Sequence, residues 1–229
     1  MKTLIIIPSR LSATRLPGKP LLKINDISII SHVYKRAKEA NIGEVIVAAE
    51  DQEIVNDVKN NGGNAILTSD KHKTGTDRIY EAYQKLNLDN IDFIMNLQGD
   101  EPAINIKDIL NLNQMMIDHK AKIGTLAAKI ENKLDLANEN IVKVITENNL
   151  EDDPFSSAKI FLRKSEDALN IYHHIGIYCY SSEILKNFVQ LAQSKNEIEN
   201  KLEQLRALDN NININVALAS KAPIGVDTE

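Results

Sequence analysis

Short apolar runs alternate with helical patterns from residue 3 to residue 130, and this alternation limits the possible folds more than any other feature. Five runs predict strands: TLIIIP (3–8), EVIVAAE (44–50), NAILTS (64–69), DFIMNLQ (92–98) and IGTLAAKI (123–130). Helical spacing predicts helices at 30–40, 52–61, 76–86 and 106–119, and Gly62-Gly63 is expected to close the second one. This order predicts an α/β fold with a mixed, mainly parallel central sheet and flanking helices.

The pattern changes after residue 140. Two apolar segments, IVKVITE (141–147) and NIYHHIGIYCYS (170–181), follow each other with little helix between them. They predict a small antiparallel insertion around residues 140–180. Helices at 183–193 and 197–208 and a last strand, INVALA (214–219), complete the predicted elements. Because no linker or internal repeat interrupts the chain, we predict a single domain spanning residues 1–229.

Charge is distributed unevenly along this acidic chain, whose formal net charge is −5. Residues 1–25 hold five of the 27 lysines and arginines and none of the 32 acidic residues, so the rest carries −10. A general nucleic-acid binder needs a positive face, whereas a cationic opening on an acidic chain suits a small polyphosphate. The only cysteine, Cys179, excludes an intrachain disulfide and indicates a reducing compartment. Since the apolar runs are also far shorter than a membrane span, we expect a cytoplasmic protein without a membrane or nucleic-acid partner.

The loop after the first predicted strand carries three cations, Arg10, Arg15 and Lys19. It lacks the spacing of a P-loop, and no G-x-G-x-x-G occurs in the chain, which disfavours a dinucleotide site. The loop is expected at the carboxyl edge of the sheet, where open α/β folds bind ligands. Its cations, its hydroxyl groups and the Pro17-Gly18 turn fit a phosphate cradle. Cation content alone favours the alternative of a solvated basic loop.

A second candidate site follows the strand in DFIMNLQGDEP (92–102), where Asp100 is expected at the carboxyl tip. A carboxylate there can hold Mg²⁺, which prefers oxygen ligands and commonly uses one or two carboxylates together with phosphates. Asp227, in GVDT after the last strand, is the candidate for a second carboxylate. Taken alone, each aspartate is also a common turn residue.

Two further segments offer candidate binding residues. KTGTDRIYEAY (73–83) places Gly75, Thr76 and Arg78 at a predicted helix start, with Thr76 expected as the N-cap. An arginine in the first turn opposes the helix dipole, which favours another role for Arg78. In residues 171–180, alternation places His174 and Tyr178 on one polar-aromatic face. That face fits either a ligand wall or a structural role for the histidine.

Five segments, in order along the whole chain, resemble the 3-deoxy-manno-octulosonate (Kdo) cytidylyltransferase family. IPSRLSATRLPGKPL (7–21) is similar to the family's opening IPAR…STRLPGKPL, with Ser9 in place of the alanine. NLQGDEP (96–102) resembles NVQGDEP, HIGIYCY (174–180) resembles HLGIYGY, and LEQLRAL (202–208) and GVDT (225–228) also match. The resemblance implies a nucleotidyltransferase, Rossmann-like fold and a Mg²⁺-dependent transfer of CMP from CTP to Kdo for lipopolysaccharide biosynthesis. It also implies a homodimer, with the 140–180 insertion as a dimerisation-type element.

The resemblance implies a role for each matched residue. The expected catalytic residues are Arg15, Lys19, Asp100 and Asp227, of which Asp100 and Asp227 are the expected metal ligands. The expected nucleotide-binding residues are Pro8, Ser9, Arg10, Arg15, Lys19, Gly75 and Thr76. The expected sugar-binding residues are Arg78, Gln98, His174, Tyr178, Glu203 and Gln204. The last two fall on the predicted helix 197–208, where simple solvation explains them equally well.

One departure from the family pattern bears on the substrate. Where the family has SRAxIP, this chain has SSAKIF (156–161), so Ser157 stands at the position of a substrate-side arginine. Loss of that cation would remove repulsion against an ammonium group, which keeps 8-amino-3,8-dideoxy-manno-octulosonate open as an alternative sugar. A sialic-acid enzyme is a further alternative, which TRLPGKP disfavours. A catalytically silent nucleotide-binding protein is another, which the retention of Lys19 and both aspartates disfavours.

Overall fold

The computed structural model describes residues 1–12, 16–166 and 168–222. Two of the predicted catalytic residues, Arg15 and Asp227, therefore lie outside the described residues. The described chain forms two compact units, the first ending at Leu110 and the second running from Asn111 to Ala222. The single-domain organisation with an insertion around 140–180 stays a prediction.

The first unit alternates strands and helices in the predicted order. In chain order it contains β1 (Thr3–Ser9), a 3-10 helix (Lys19–Leu21), β2 (Lys23–Ile24), β3 (Ile27–Ser28), α1 (Ile29–Glu39), β4 (Gly43–Ala49), α2 (Gln52–Asn60), β5 (Ala65–Leu67), α3 (Gly75–Leu86), β6 (Phe93–Asn96) and the start of α4 (Ile106–His119). Its sheet has the order β5-β4-β1-β6, and the pairings between these strands are parallel. Strands β2 and β3 form a separate antiparallel hairpin.

The apolar runs form the core of this unit because parallel strands are covered on both faces. In β1 the side chains from Leu4 to Ile7 are fully buried. Helix α2 ends where Gly62-Gly63 was predicted to close it: Gly62 has a φ of 80°, and the Gly63 N–H donates to Val58 O at 2.8 Å. The β2–β3 hairpin was not predicted. Its turn residues Asn25 and Asp26 both have positive φ angles, as a two-residue hairpin turn requires.

The second unit contains mostly antiparallel pairings. In chain order it contains the end of α4, β7 (Ile123–Ala128), a 3-10 helix (Lys133–Leu136), β8 (Lys143–Thr146), β9 (Phe155–Leu162), β10 (Ile171–Ser181), α5 (Ser182–Phe188), α6 (Lys195–Asn200), α7 (Leu205–Asp209) and β11 (Ile214–Leu218). Strand β7 pairs parallel with β11, while the β11–β9, β9–β8, β8–β10 and β10–β7 pairings are antiparallel and return to the starting strand. The prediction of a mixed sheet with flanking helices is confirmed, and parallel pairing predominates only in the first unit.

Three elements of the second unit differ from the prediction, the first being α5, which ends at Phe188 and not at residue 193. Strand β9 was missed, because its segment FSSAKIFL mixes polar residues into both faces and lacks clean alternation. The predicted helix 197–208 is two helices, since Lys201 adopts a left-handed conformation with a φ of 53° and ends α6. Among the described helices, none is long and apolar enough to cross a membrane.

Candidate active site

A cavity of about 320 Å³ opens in the first unit where β1 and β6 end. The two strands are parallel neighbours, so the loops at their carboxyl ends lie at one edge of the sheet. The N-terminal end of α3 forms a further wall. Eight of the predicted site residues line this cavity: Pro8, Ser9, Arg10, Lys19, Gly75, Arg78, Gln98 and Asp100. The structure therefore brings the first two sequence motifs together, as the sheet topology predicted.

Lys19 and Asp100 form an ion pair across the cavity, with 2.8 Å between Nζ and Oδ2. Lys19 starts the 3-10 helix directly after Gly18, whose φ of 73° is a left-handed conformation that glycine adopts without strain. Lys19 is only 7% exposed, whereas the Asp100 side chain is 44% exposed and stays accessible to a ligand. A buried ammonium and an accessible carboxylate thus face each other between the two strand ends.

Ser9 and Arg10 supply donors on the β1 side of the cavity. Ser9 is 7% exposed, and among the described residues its buried Oγ has no hydrogen-bond partner. A buried hydroxyl without a hydrogen-bond partner is costly, so a ligand oxygen that accepts a hydrogen bond from Ser9 would remove this cost. Arg10 is exposed at the rim of the cavity. A hydroxyl donor beside an exposed guanidinium is complementary to an anion rich in oxygen atoms.

Gly99 permits the close approach of the two strand ends. A Cβ atom at this position would lie 2.9 Å from Pro8 O and 3.2 Å from Ile30 Cδ1. The first distance is too short for a real Cβ, and the backbone oxygen of Pro8 belongs to a buried strand. Gly99 lines the cavity but was not a predicted site residue, although its place between Gln98 and Asp100 in the quoted motif was a usable signal.

The N-terminus of α3 differs from the prediction by one residue, and its N-cap by two. Thr74 is the N-cap: its Oγ1 accepts a hydrogen bond from the Asp77 N–H at 3.2 Å. The prediction of Thr76 as N-cap was wrong, because Thr74 has the N-cap spacing relative to Asp77. Thr76 is 1% exposed and does not line the cavity. Thr74 and the exposed Gly75 do, which directs the positive end of the α3 dipole towards the cavity, an arrangement that favours anions.

Arg78 lies in the cavity wall with its charge already compensated. It is 3% exposed, and its Nη1 donates to Thr68 Oγ1 at 2.8 Å and to Ser69 O at 3.1 Å. Its Nη2 donates to the carboxylate of Glu50, which is also largely buried. Sugar binding by Arg78 stays a prediction, while its structural role in the wall is clear.

His72 and Lys73 also line the cavity and were not predicted. Burial raises the pKa of Glu81, but hydrogen bonds from Lys85, the Ser69 N–H and His72 outweigh it and lower the pKa to about 2. Glu81 therefore stays ionised beside His72 at neutral pH. The basic run KHK just before the helix start was the available sequence signal for this wall. The last unpredicted lining residue is Pro20.

Two predicted sugar-binding residues, His174 and Tyr178, belong to an aromatic row in the second unit. Ring centroids are 5.0 Å apart between Phe161 and His174, 5.4 Å between His174 and Tyr178, and 5.9 Å between Tyr178 and Tyr180. Burial lowers the pKa of His174 to about 3, with a smaller contribution from the charge of His173. The His174 ring is therefore neutral at physiological pH, and its Nε2 lies 3.1 Å from Thr125 Oγ1.

Tyr178 and Glu203 interact electrostatically within the same unit. Burial raises the pKa of the Tyr178 phenol well above its usual range, and the charges of Tyr180 and Glu203 raise it further. Glu203 lies in the turn between α6 and α7, where its Oε1 is 3.6 Å from Arg206 Nη2. Gln204 is the N-cap residue of α7. Binding of a sugar by these residues stays a prediction.

The described residues fit a magnesium site only in part. No group of three or more His, Cys, Asp or Glu side chains suitable for a metal occurs in the described part of the chain. Asp100 does supply one accessible carboxylate in a cavity with donors for phosphate oxygens. That is compatible with Mg²⁺, which binds through as few as one or two carboxylates when substrate phosphates supply other ligands.

Comparison of the sequence with known protein families shows the class of protein to which the chain belongs. The family model described as cytidylyltransferase matches residues 4–214, which is most of the chain. A nucleotidyltransferase-like α/β fold, with a cation-lined cavity at the carboxyl ends of parallel strands, agrees with this class.

Similarity to individual relatives identifies the family within this class. The chain is 45% identical over 240 aligned residues to a 3-deoxy-manno-octulosonate cytidylyltransferase of Thermodesulfovibrio yellowstonii, covering 100% of this chain and 94% of that protein. It is 40% identical to the enzyme of that name from Nitrobacter winogradskyi, covering 99% and 90%. The solved structure of CMP:2-keto-3-deoxy-manno-octonic acid synthetase complexed with CTP has a TM-score of 0.90 at 36% identity, covering 100% and 94%. The chain belongs to the 3-deoxy-manno-octulosonate cytidylyltransferase family, as the five sequence motifs predicted.

Proposed function

We propose that this protein transfers CMP from CTP to 3-deoxy-D-manno-octulosonate, giving CMP-Kdo and pyrophosphate. The observation that carries the proposal is the Lys19–Asp100 pair in a cavity that also holds the unsatisfied Ser9 hydroxyl and the exposed Arg10. Whole-length similarity to Kdo cytidylyltransferases supports the choice of both substrates.

In the proposed reaction the anomeric hydroxyl of the sugar attacks the α-phosphorus of CTP. The new bond joins that oxygen to the α-phosphorus, the bond from the α-phosphorus to the bridging oxygen breaks, and the hydroxyl proton passes to solvent. Little covalent chemistry falls to the protein, so catalysis consists of positioning and charge neutralisation. In this proposal Lys19 and Arg10 neutralise phosphate oxygens as pyrophosphate departs, and the Ser9 hydroxyl donates a hydrogen bond to one of them; their position in the cavity supports these roles. Arg15 is expected to add a further charge.

We also propose that the enzyme depends on Mg²⁺, held by Asp100 and Asp227. When bound, the ion supplies charge neutralisation at the phosphates and lowers the pKa of the attacking hydroxyl. The accessible carboxylate of Asp100 supports this proposal from the described residues. A homodimer, a cytoplasmic location and a place in lipopolysaccharide biosynthesis are proposed on the family resemblance, as is the absence of nucleic-acid and membrane partners.

The amino-sugar alternative is not favoured. Ser157 lies in β9 of the second unit, where its Oγ accepts a hydrogen bond from Asn213 Nδ2 at 3.0 Å and its carbonyl accepts one from the Glu147 N–H at 2.8 Å. The serine therefore has a local structural explanation, and the relatives named above carry Kdo rather than the amino sugar in their names. The catalytically silent alternative has no supporting observation in the cavity.

The central test is release of pyrophosphate from CTP in the presence of Kdo, with and without Mg²⁺. We expect release to require both, and Asp100→Ala to reduce the rate by at least about a hundredfold, since electrostatic groups at reacting centres contribute on this scale. Exposed Asp89, in the loop between α3 and β6, provides the matched control: Asp89→Ala removes the same charge without touching the cavity.

Three results would count against the proposal. Turnover that persists in Asp100→Ala would contradict the role of this carboxylate. Full activity after chelation would contradict the Mg²⁺ requirement. A clear preference in kcat/KM for the 8-amino sugar would restore the alternative substrate.

A further inference from the structure

Two acidic residues at the carboxyl end of β4, Glu50 and Asp51, contact the loop that follows β1. The Leu11 N–H donates to Asp51 Oδ2 at 2.8 Å, and the Ser12 hydroxyl donates to Glu50 Oε1 at 2.9 Å. The Glu50 N–H also lies 3.4 Å from Ser9 O. These contacts join segments about 40 residues apart in sequence, and neither acidic residue lines the cavity itself.

The Asp51 contact is linked to the position of Lys19 through the backbone. The Leu11 N–H binds Asp51, while the Leu11 carbonyl accepts a hydrogen bond from the Gly18 N–H at 3.1 Å. This second bond ties Gly18 to Leu11. Lys19 follows Gly18 directly, and its Nζ lies 2.8 Å from Asp100 Oδ2. Asp51 is therefore linked to Lys19 through Leu11 and Gly18.

The Glu50 contact links the same loop to the cavity wall. One carboxylate oxygen of Glu50 accepts from Ser12, and the other accepts from Arg78 Nη2. The side chains of Arg78 and Glu50 are 3% and 11% exposed, so this ion pair is shielded from solvent. Charge-assisted hydrogen bonds of this kind are stronger than neutral ones and fix geometry. A single carboxylate thus bridges the loop and the wall on two sides of the cavity.

We propose that Glu50 and Asp51 are positioning residues for the nucleotide: they hold Leu11 and Ser12, which directly follow the cavity residues Ser9 and Arg10, against the Arg78 wall before CTP arrives. A loop held in its binding conformation avoids the ordering cost of binding, so its donors meet the phosphates at higher affinity. This inference rests on the proposed function for the identity of the ligand. It goes beyond it by assigning a role to two residues outside the cavity.

The test measures the dissociation constant of CTP, in the absence of sugar, for Glu50→Gln, Ser12→Ala and the double variant. We expect Ser12→Ala to weaken CTP binding about threefold, because it removes one hydrogen bond to Glu50, and Glu50→Gln about tenfold, because it removes the charge that binds both Ser12 and Arg78. The double variant should weaken CTP binding by less than the product of the two single effects, because both changes act on the same contact. Glu53→Gln, an exposed change three residues away in α2, should leave the constant unchanged.

If Glu50→Gln fails to fold, Ser12→Ala still tests the proposal, because it leaves the ion pair between Arg78 and Glu50 intact. A Glu50→Gln protein that melts earlier but binds CTP as wild type does would make Glu50 merely structural and overturn the proposal. Fully additive effects in the double variant would overturn the bridge between loop and wall. A wild-type protein that binds CTP but transfers no CMP to Kdo would refute the proposed function alone, since the dissociation constants still decide the positioning role.

Discussion

At the scale of single residues, burial decides which side chains carry charge. His174 packs between Phe161 and Tyr178, and burial lowers its pKa to about 3 from 6.5. The neighbouring His173 also has a lowered pKa, chiefly through burial. Cys179, on the same strand, is buried, and its thiol has a raised pKa for the same reason. The thiol is thus an inert apolar group, in line with a structural rather than a reactive cysteine.

The lowered pKa of His174 predicts that the folded protein loses stability in acid. Between pH 3 and pH 6.5 the unfolded chain binds a proton at His174 that the folded protein does not, so stability falls as pH falls through this window. The slope contributed by one such group approaches about 1.4 kcal/mol per pH unit well below 6.5. We expect the free energy of unfolding in urea to drop between about pH 7 and 5 for wild type, and less steeply for His174→Asn.

The difference between the two pH slopes isolates the contribution of His174, because the rest of the chain is the same in both proteins. Equal pH slopes for wild type and His174→Asn would contradict the prediction.

At the scale of elements, the ends of β1 and β6 are held together at a glycine. Gly99→Ala would place a methyl group 2.9 Å from Pro8 O, so one strand end must move. We expect this variant to lose about 1–3 kcal/mol of stability, the usual cost of overpacking, and to bind CTP more weakly. Gly75→Ala is the control for stability: its Cβ would lie 3.5 Å from Pro8 Cγ, an ordinary contact. A Gly99→Ala protein as stable as wild type would show that the strand ends separate freely.

The elements of the first unit were largely predictable, and those of the second were less so. Buried parallel strands are continuous apolar runs bounded by turn residues, which is why β1, β4 and β6 were located within one or two residues. Strand β9 gives no such signal, because its burial depends on partners that pair with it from elsewhere in the chain. The left-handed residue that separates α6 from α7 was not predictable either, because this position is a lysine, Lys201, and not a glycine or asparagine.

At the scale of the whole molecule, the charge of the cavity wall is opposite in sign to the net charge of the chain. The chain carries −5 overall, yet the described cavity wall contains Arg10, Lys19 and Lys73 against Asp100, while the charge of Arg78 is compensated by Glu50. A triphosphate is repelled by the first distribution and attracted by the second. At 0.1 M, salt screens charges that are more than about 10 Å apart. The effect of ionic strength therefore shows whether the cavity wall or the net charge of the chain governs the encounter with CTP.

We expect kcat/KM for CTP to fall as salt rises, since a cationic cleft concentrates an anionic substrate. A neutral osmolyte such as sucrose, matched to the same osmolarity, is the control for effects unrelated to charge. An increase of kcat/KM with salt would mean that repulsion by the acidic surface dominates.

The site was predictable where chemistry and motif coincide in sequence, and not where it depends on distant pairing. Lys19 and Asp100 were assigned from their motifs, and the structure places them 2.8 Å apart. Arg15 and Asp227, outside the described residues, stay predictions. Glu50 and Asp51 gave no signal, because acidic residues after a strand are ordinary turn residues. Only the folded chain shows Glu50 facing Ser12 and Arg78, 38 and 28 residues away.

The aromatic row has a spectroscopic consequence. The chain contains no tryptophan, so its six tyrosines dominate the near-ultraviolet signal. Two of them, Tyr178 and Tyr180, stack at 5.9 Å in the second unit, where both are buried. Near-ultraviolet circular dichroism of the native enzyme therefore includes the packing of this row without any label, together with the buried Tyr34 and Tyr172. A single introduced tryptophan would be an unambiguous fluorescent reporter of whichever unit receives it.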